Sequence, residues 1–203
     1  MMRRFSTPLA LVLLAAAVIV TPSCVSTAEE ERETERDGYA VASPVLQREI
    51  DQRVENLPYL HGKDYLASVA RLIYVGEPAI PRLFEALESD AAQSRGAAAY
   101  ILGEIGDKRA ITEIRPLLED SSELVRLEAA GSLATLGDWS SLPTLIAALR
   151  HDRPAVRLKS FQVLSKQVKQ DFGYVYNAPD DERERAVKRW EEWWKAAQSE
   201  NLL

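Results

Sequence analysis

The sequence predicts an all-α protein, a right-handed α-solenoid of helical hairpins closed by a C-terminal capping helix. Three observations lead there. Apolar residues recur every 31 positions: Ile80, Ile111 and Leu142; Leu83, Ile114 and Leu145; Leu87, Leu118 and Leu149; Leu102, Leu133 and Leu164. Inside each interval, two apolar stripes at helical spacing flank a short polar turn. After the last copy comes one long charged helix carrying Trp190, Trp193 and Trp194. A period of this length marks units that cannot hide their apolar faces alone and must stack.

Taken in order, residues 1–23 read as an export signal: Arg3 and Arg4 precede a run of apolar residues from Leu9 to Val20, then small residues follow. The run is short for a membrane-spanning helix. Cys24, the only cysteine, stands directly after it and resembles the acylated first residue of a bacterial lipoprotein. The alternative is cleavage after Ala28, which discards the cysteine. Either way no thiol remains for a disulfide, so the fold must rest on helix packing.

Residues 24–42 are charged and aperiodic, an acidic disordered tether. The eighteen from Val25 to Ala42 reach about 23 Å. Loss of Arg3 and Arg4 with the signal leaves 23 basic against 31 acidic side chains, a net charge of −8. That sign argues against nucleic acid and against an anionic surface as partner.

Residues 43–75 form an atypical N-terminal hairpin, with Val45, Leu46, Ile50 and Val54 on one helix and Leu66, Val69, Ala70 and Ile73 on the next. A terminal unit differs because its outer face meets water. Residues 76–170 hold three repeats. In the central copy, Ile111, Ile114 and Leu118 make the first stripe and Val125, Ala129, Leu133 and Leu136 the second, and residues 119–122 supply turn and N-cap side chains. Phe161 replaces Ala99 and Ala130 of the earlier copies, so something different packs on the third. Residues 171–203, an aromatic loop and a helix presenting Val187, Trp190, Trp194 and Ala197 on one face with Trp193 beside them, are that cap.

The runs Asp-Arg-Pro-Ala-Val-Arg at 152–157 and Ser-Ser-Glu-Leu-Val-Arg-Leu-Glu-Ala-Ala at 121–130, with Leu-Gly-Asp at 136–138, resemble HEAT repeats of the short bacterial type, known also from phycobilisome lyases. The resemblance implies a HEAT-like, armadillo-type superhelix with a ladder between successive units. Its arginines are Arg95, Arg126 and Arg157, its acidic partners Asp90 and Asp152. The middle copy has Ser121 at that position, which breaks the ladder or moves it to Asp120.

Chemistry-bearing motifs are few. His61 and His151 lie in separate turns without metal-ligand spacing, no glycine-rich phosphate loop appears, and the carboxylates are scattered. The sequence therefore points to a non-catalytic chain, with no metal or cofactor expected. What remains is surface. On the central second helix the side away from the buried stripe carries Leu127, Glu128, Gly131 and Thr135. Steps of 31 carry this side to Tyr100 and Glu104, and to Lys159, Gln162 and Lys166. The resemblance implies that second helices line the concave side, so these residues are the expected contact surface for an unidentified protein or peptide. The expectation is a monomeric interaction scaffold or assembly factor at the bacterial cell envelope, lipid-anchored on the periplasmic side of the outer membrane, or soluble after cleavage at Ala28. Two alternatives stand beside it: a lyase or isomerase of the bilin lyase type, implied by the shared repeat, and a cell-wall carbohydrate binder using the C-terminal tryptophans.

Overall fold

A computed structural model describes residues 35–36 and 38–199. The signal, Cys24 and most of the tether lie outside these residues. Among the described residues nine α-helices follow a small hairpin: β1 (Glu35–Arg36), β2 (Tyr39–Ala40), α1 (Pro44–Asn56), α2 (Gly62–Val75), α3 (Ile80–Leu87), α4 (Ala92–Ile105), α5 (Ile111–Ile114), α6 (Glu123–Leu136), α7 (Leu142–Ala148), α8 (Pro154–Val168) and α9 (Asp180–Ser199). The pairs α3/α4, α5/α6 and α7/α8 are the three repeats, α1/α2 the atypical unit before them. Second helices stack on second helices, α4 on α6 and α6 on α8.

The same local devices recur in each unit. A 3-10 turn enters every first helix, at Glu77–Ala79, Lys108–Ala110 and Trp139–Ser141. In the second and third units Asp107 and Asp138 fix it by accepting the amides of Arg109 and Ser140. Proline follows in the first turn of α3 and α7, where its missing N–H costs no helical bond. Helices α4 and α6 end on Gly106 and Gly137 in the left-handed region, at φ 83° and 89°.

The 31-residue positions form the seam. Ile80, Leu83, Leu102, Ile114, Leu133, Leu149 and Leu164 have no exposed surface, and Leu142 and Leu145 are buried with them. Leu118 packs against both the larger cluster under α1–α6 and the smaller one under α7–α9. Within the smaller cluster Trp190 and Val187 are wholly buried, Phe172 meets Trp190 edge-on at 4.7 Å, and the Phe161 ring lies 5.3 Å from Tyr174. The Tyr174 hydroxyl donates to the Leu149 carbonyl at 2.5 Å. Arg150 grips Glu184 and Glu191 of α9. Helix α9 is thus a cap whose rings fill the end of the stack.

Three expectations need correction. The tether does not run to residue 42: Tyr39 is buried, packs edge-on against Phe84 at 5.8 Å, and lies under the Arg109 guanidinium at 3.9 Å. Arg109 also donates to the Gly38 carbonyl and pairs with Glu77 and Asp107. Burial of one aromatic ring outweighs the charged composition around it. On α2, the inward face is Ser68, Val69 and Leu72, while Leu66 is 65% exposed and Ala70 is exposed. The stripe is rotated because α2 packs against α4 as well as α1. On α1, Val45 faces water and Leu57, the C-cap residue, takes a core position instead.

The ladder also differs in its atoms. Each arginine first caps its own turn: Arg95 donates to the carbonyls of Ser89 and Asp90, Arg126 to those of Asp120 and Ser121, and Arg157 to those of His151 and Asp152. Asp90 and Asp152 therefore serve through backbone oxygens, which lie nearer the guanidinium than a carboxylate turned to solvent. The crossing contact is Arg95 to Asp120, bidentate at 2.7 and 2.8 Å. One unit on, the place of Asp120 is taken by His151, which pairs with Glu123. At the last unit Arg157 reaches the Tyr176 carbonyl, so the tail loop supplies the acceptor that a further repeat would.

Candidate functional site

Side-chain size decides where the stack of second helices is closed and where it opens. Between α4 and α6 the helices meet through small residues: a Cβ on Gly103 would stand 2.7 Å from the Ser132 Cβ, and one on Gly96 would touch Glu128. One repeat later Leu127 replaces Gly96, Ala134 replaces Gly103, and Val163 replaces Ser132. Larger groups hold α8 away from α6. A hollow of about 230 Å³ opens there, floored by Leu145, Gly131, Val156 and Val163 and edged by Leu124, Leu127, Arg153 and Lys159. A second hollow, about 320 Å³, lies between α2, α4 and α6 and is lined by Tyr65, Gln93, Gly96, Leu124, Val125 and Glu128. Leu124 and Glu128 border both. Leu124 is 55% exposed, an uncovered leucine at the junction of the two.

The residues expected on this face come together only in part. Glu128 of α6 pairs with Lys159 of α8, and the Lys159 ammonium stands 5.5 Å from the Tyr100 ring of α4. Burial raises the Tyr65 and Tyr100 hydroxyls above the usual phenol range, and carboxylates add to it, Glu128 for Tyr65 and Glu104 followed by Glu128 for Tyr100. Glu128, Lys159, Tyr65 and Tyr100 thus form one cluster across four helices, α2, α4, α6 and α8. Gln162 and Lys166 are exposed on α8, outside that cluster, and Glu104 is exposed one turn beyond Tyr100 on α4. Leu127 turns half-buried into the α6/α8 seam, and the Thr135 hydroxyl donates to the Gly131 carbonyl, so neither presents a free contact group. The expected acidic-to-basic gradient is correspondingly weaker, since Lys159 is matched by Glu128.

Sequence reasoning missed Leu124, Tyr65 and Arg153. The signal for Leu124 was present: it lies one turn before Glu128, on the same side of α6. Tyr65 was hidden by the rotated stripe of α2. The C-terminal tryptophans form no open platform, since Trp190 has no exposed surface and Trp193 and Trp194 are half-buried against Phe172 and Trp139.

The family described as HEAT repeats matches residues 80–165. The matched stretch is similar to HEAT repeats. Its span takes in all three units, from the first residue of α3 to the last turn of α8. A solved structure with this architecture is the complex of CpcE and CpcF of phycocyanin lyase from Nostoc sp. PCC7120, 19% identical, with a TM-score of 0.52 over 70% of this chain and 97% of that one. The likeness is one of fold. No curated protein matches the chain.

This match corrects the reading of the chain as standing outside the enzymes. A chain of similar fold belongs to a phycocyanin lyase complex, so neither the architecture nor the lack of a local motif excludes catalysis. The physical reason lies in how such a face is assembled. Each helix contributes single residues that meet only in the stack, as Tyr100, Glu128 and Lys159 do here, and such a set leaves no contiguous signature in the sequence.

Proposed function

We propose that this chain binds a protein partner along its second-helix face, with the two hollows that meet at Leu124 as the contact. The observation that carries the reading is that junction: an exposed leucine between two concavities, beside the Glu128–Lys159 pair and two tyrosines. Interface centres favour such aromatic and apolar anchors ringed by polar groups. The HEAT repeats, and a similar lyase chain seen in a complex, support a role in assembly with another protein.

The reading includes a place of work. With residues 1–23 as an export signal and Cys24 acylated, the HEAT body stands at the bacterial envelope on a short tether. Cells fed a labelled fatty acid should mark the wild-type chain and leave Cys24→Ala unlabelled; equal labelling would remove the anchor from the proposal.

A photo-crosslinking residue tests the face itself. Placed at Leu124 or Gln162, it should capture the same partner; placed at Thr112 or Lys108, at the first helix of the second unit, it should not. Capture from the first-helix positions alone would overturn the reading.

A further inference from the structure

The hollow between α6 and α8 has a chemistry of its own. Its floor is apolar, with Leu145 and Ser160 buried beneath it and Val163 and Gly131 half-covered. At about 230 Å³ it is smaller than the ~300–1,000 Å³ of small-molecule sites, and fits one large side chain. Its α8 edge is basic. Arg153 and Lys159 border it with half their side-chain surface exposed, and Lys166 is exposed further along the same helix. Among the described residues no carboxylate pairs with Lys166, whereas Glu123 and Glu128 partly offset the other two. The first turn of α8 adds to this sign. Its N-cap residue, Arg153, makes no side-chain cap; Pro154 has no N–H and the Val156 amide donates to the Arg153 carbonyl, so among the described residues the Ala155 amide is the donor of that turn left open at the positive end of the helix. In a chain of net charge −6 this is a local reversal.

We propose that the α6/α8 hollow receives one apolar side chain of a partner peptide whose neighbouring residues are acidic, with the carboxylates meeting Lys166, Arg153 and the start of α8. The inference rests on the second-helix face being the binding face and names the kind of segment that fits it. A carboxylate gains there from a fixed helix end and mobile cations together, while a basic neighbour would face like charge. Gly131 is what keeps the hollow deep. The nearest atom to a Cβ there is the Val163 Cγ2 at 3.7 Å, so a Cβ at 131 strikes no backbone, and a longer side chain on it takes up room in the hollow that Gly131 lines.

Fluorescein-labelled decapeptides titrated against the full chain test this, read by anisotropy at low salt. One peptide holds Leu flanked by glutamates, one Leu flanked by lysines, and one Ser flanked by glutamates. The first should bind at least about tenfold more tightly than either other. Gly131→Leu should weaken it by about tenfold or more with an unchanged thermal melt, and Lys166→Glu, on open surface, should narrow the preference for the acidic peptide. Equal binding of the acidic and basic peptides, or binding indifferent to Gly131→Leu, overturns the proposal, as does failure of all three peptides to bind. If Leu124 still crosslinks a partner in that last case, the face stands and only the peptide chemistry falls.

Discussion

Arg95 does two tasks with one guanidinium. It satisfies the carbonyls that close its own hairpin turn and reaches across to Asp120 of the next unit. Its hydrogen bonds hold the Asp120 carboxyl below the ordinary aspartate value, and the Ser122 amide adds to the effect. A folded-state pKa below the unfolded one, near 3.9, means the bond contributes in full above that pH and is lost as pH falls through the folded value. Asp120→Asn should therefore lower stability at pH 7 by about 1–2 kcal/mol, and the gap from wild type should close in urea melts run toward pH 3. A constant gap across that range would mean the charge is immaterial. That an arginine recurs every 31 residues was plain in the sequence; its partner was not, because backbone carbonyls are invisible to residue identity. Only the alternative acidic position, Asp120, was open to inspection.

At the scale of the helix, glycine carries two opposite meanings in this chain. Gly103 has no room: a methyl group would press on the Cα and Cβ of Ser132. Gly131 has room, with nothing nearer than 3.7 Å. Gly103→Ala should thus destabilise by about 1–3 kcal/mol through overpacking, although alanine favours helix by about 1 kcal/mol. Gly131→Ala should be neutral or stabilising by up to about 1 kcal/mol. Thermal melts of the two variants decide it, and equal shifts would refute the account of the seams. Helix α9 makes a similar point about rings. Trp190 is wholly buried, so Trp190→Ala should cost about 3–5 kcal/mol and raise amide exchange in α8 and α9 together. The helices were legible because apolar spacing survives in a single sequence. The faces of α1 and α2 were less so, because a terminal unit packs on one side only and its pattern no longer says which.

For the whole molecule, the repeat explains what could be read and what could not. A 31-residue interval fixes the stack, since every copy of Leu102, Leu133 and Leu164 must meet the same seam. Position on the second-helix side followed from that interval, which is why Tyr100, Glu128 and Lys159 were found; that this side is concave is what the resemblance to HEAT repeats implies. The hollows were not, because they depend on differences between copies: Leu127 against Gly96, and Val163 against Ser132. The latch of Tyr39 under Arg109 escaped for a related reason, since it belongs to no repeat and joins residues 70 apart in sequence. Those copy-to-copy differences have a mechanical outcome. Joints of unequal stiffness share strain unequally, and the loosely filled one between the second and third units must take most of any twist along the rod. Gripping the molecule at both ends would therefore change the mouth of one hollow first, coupling tension to occupancy.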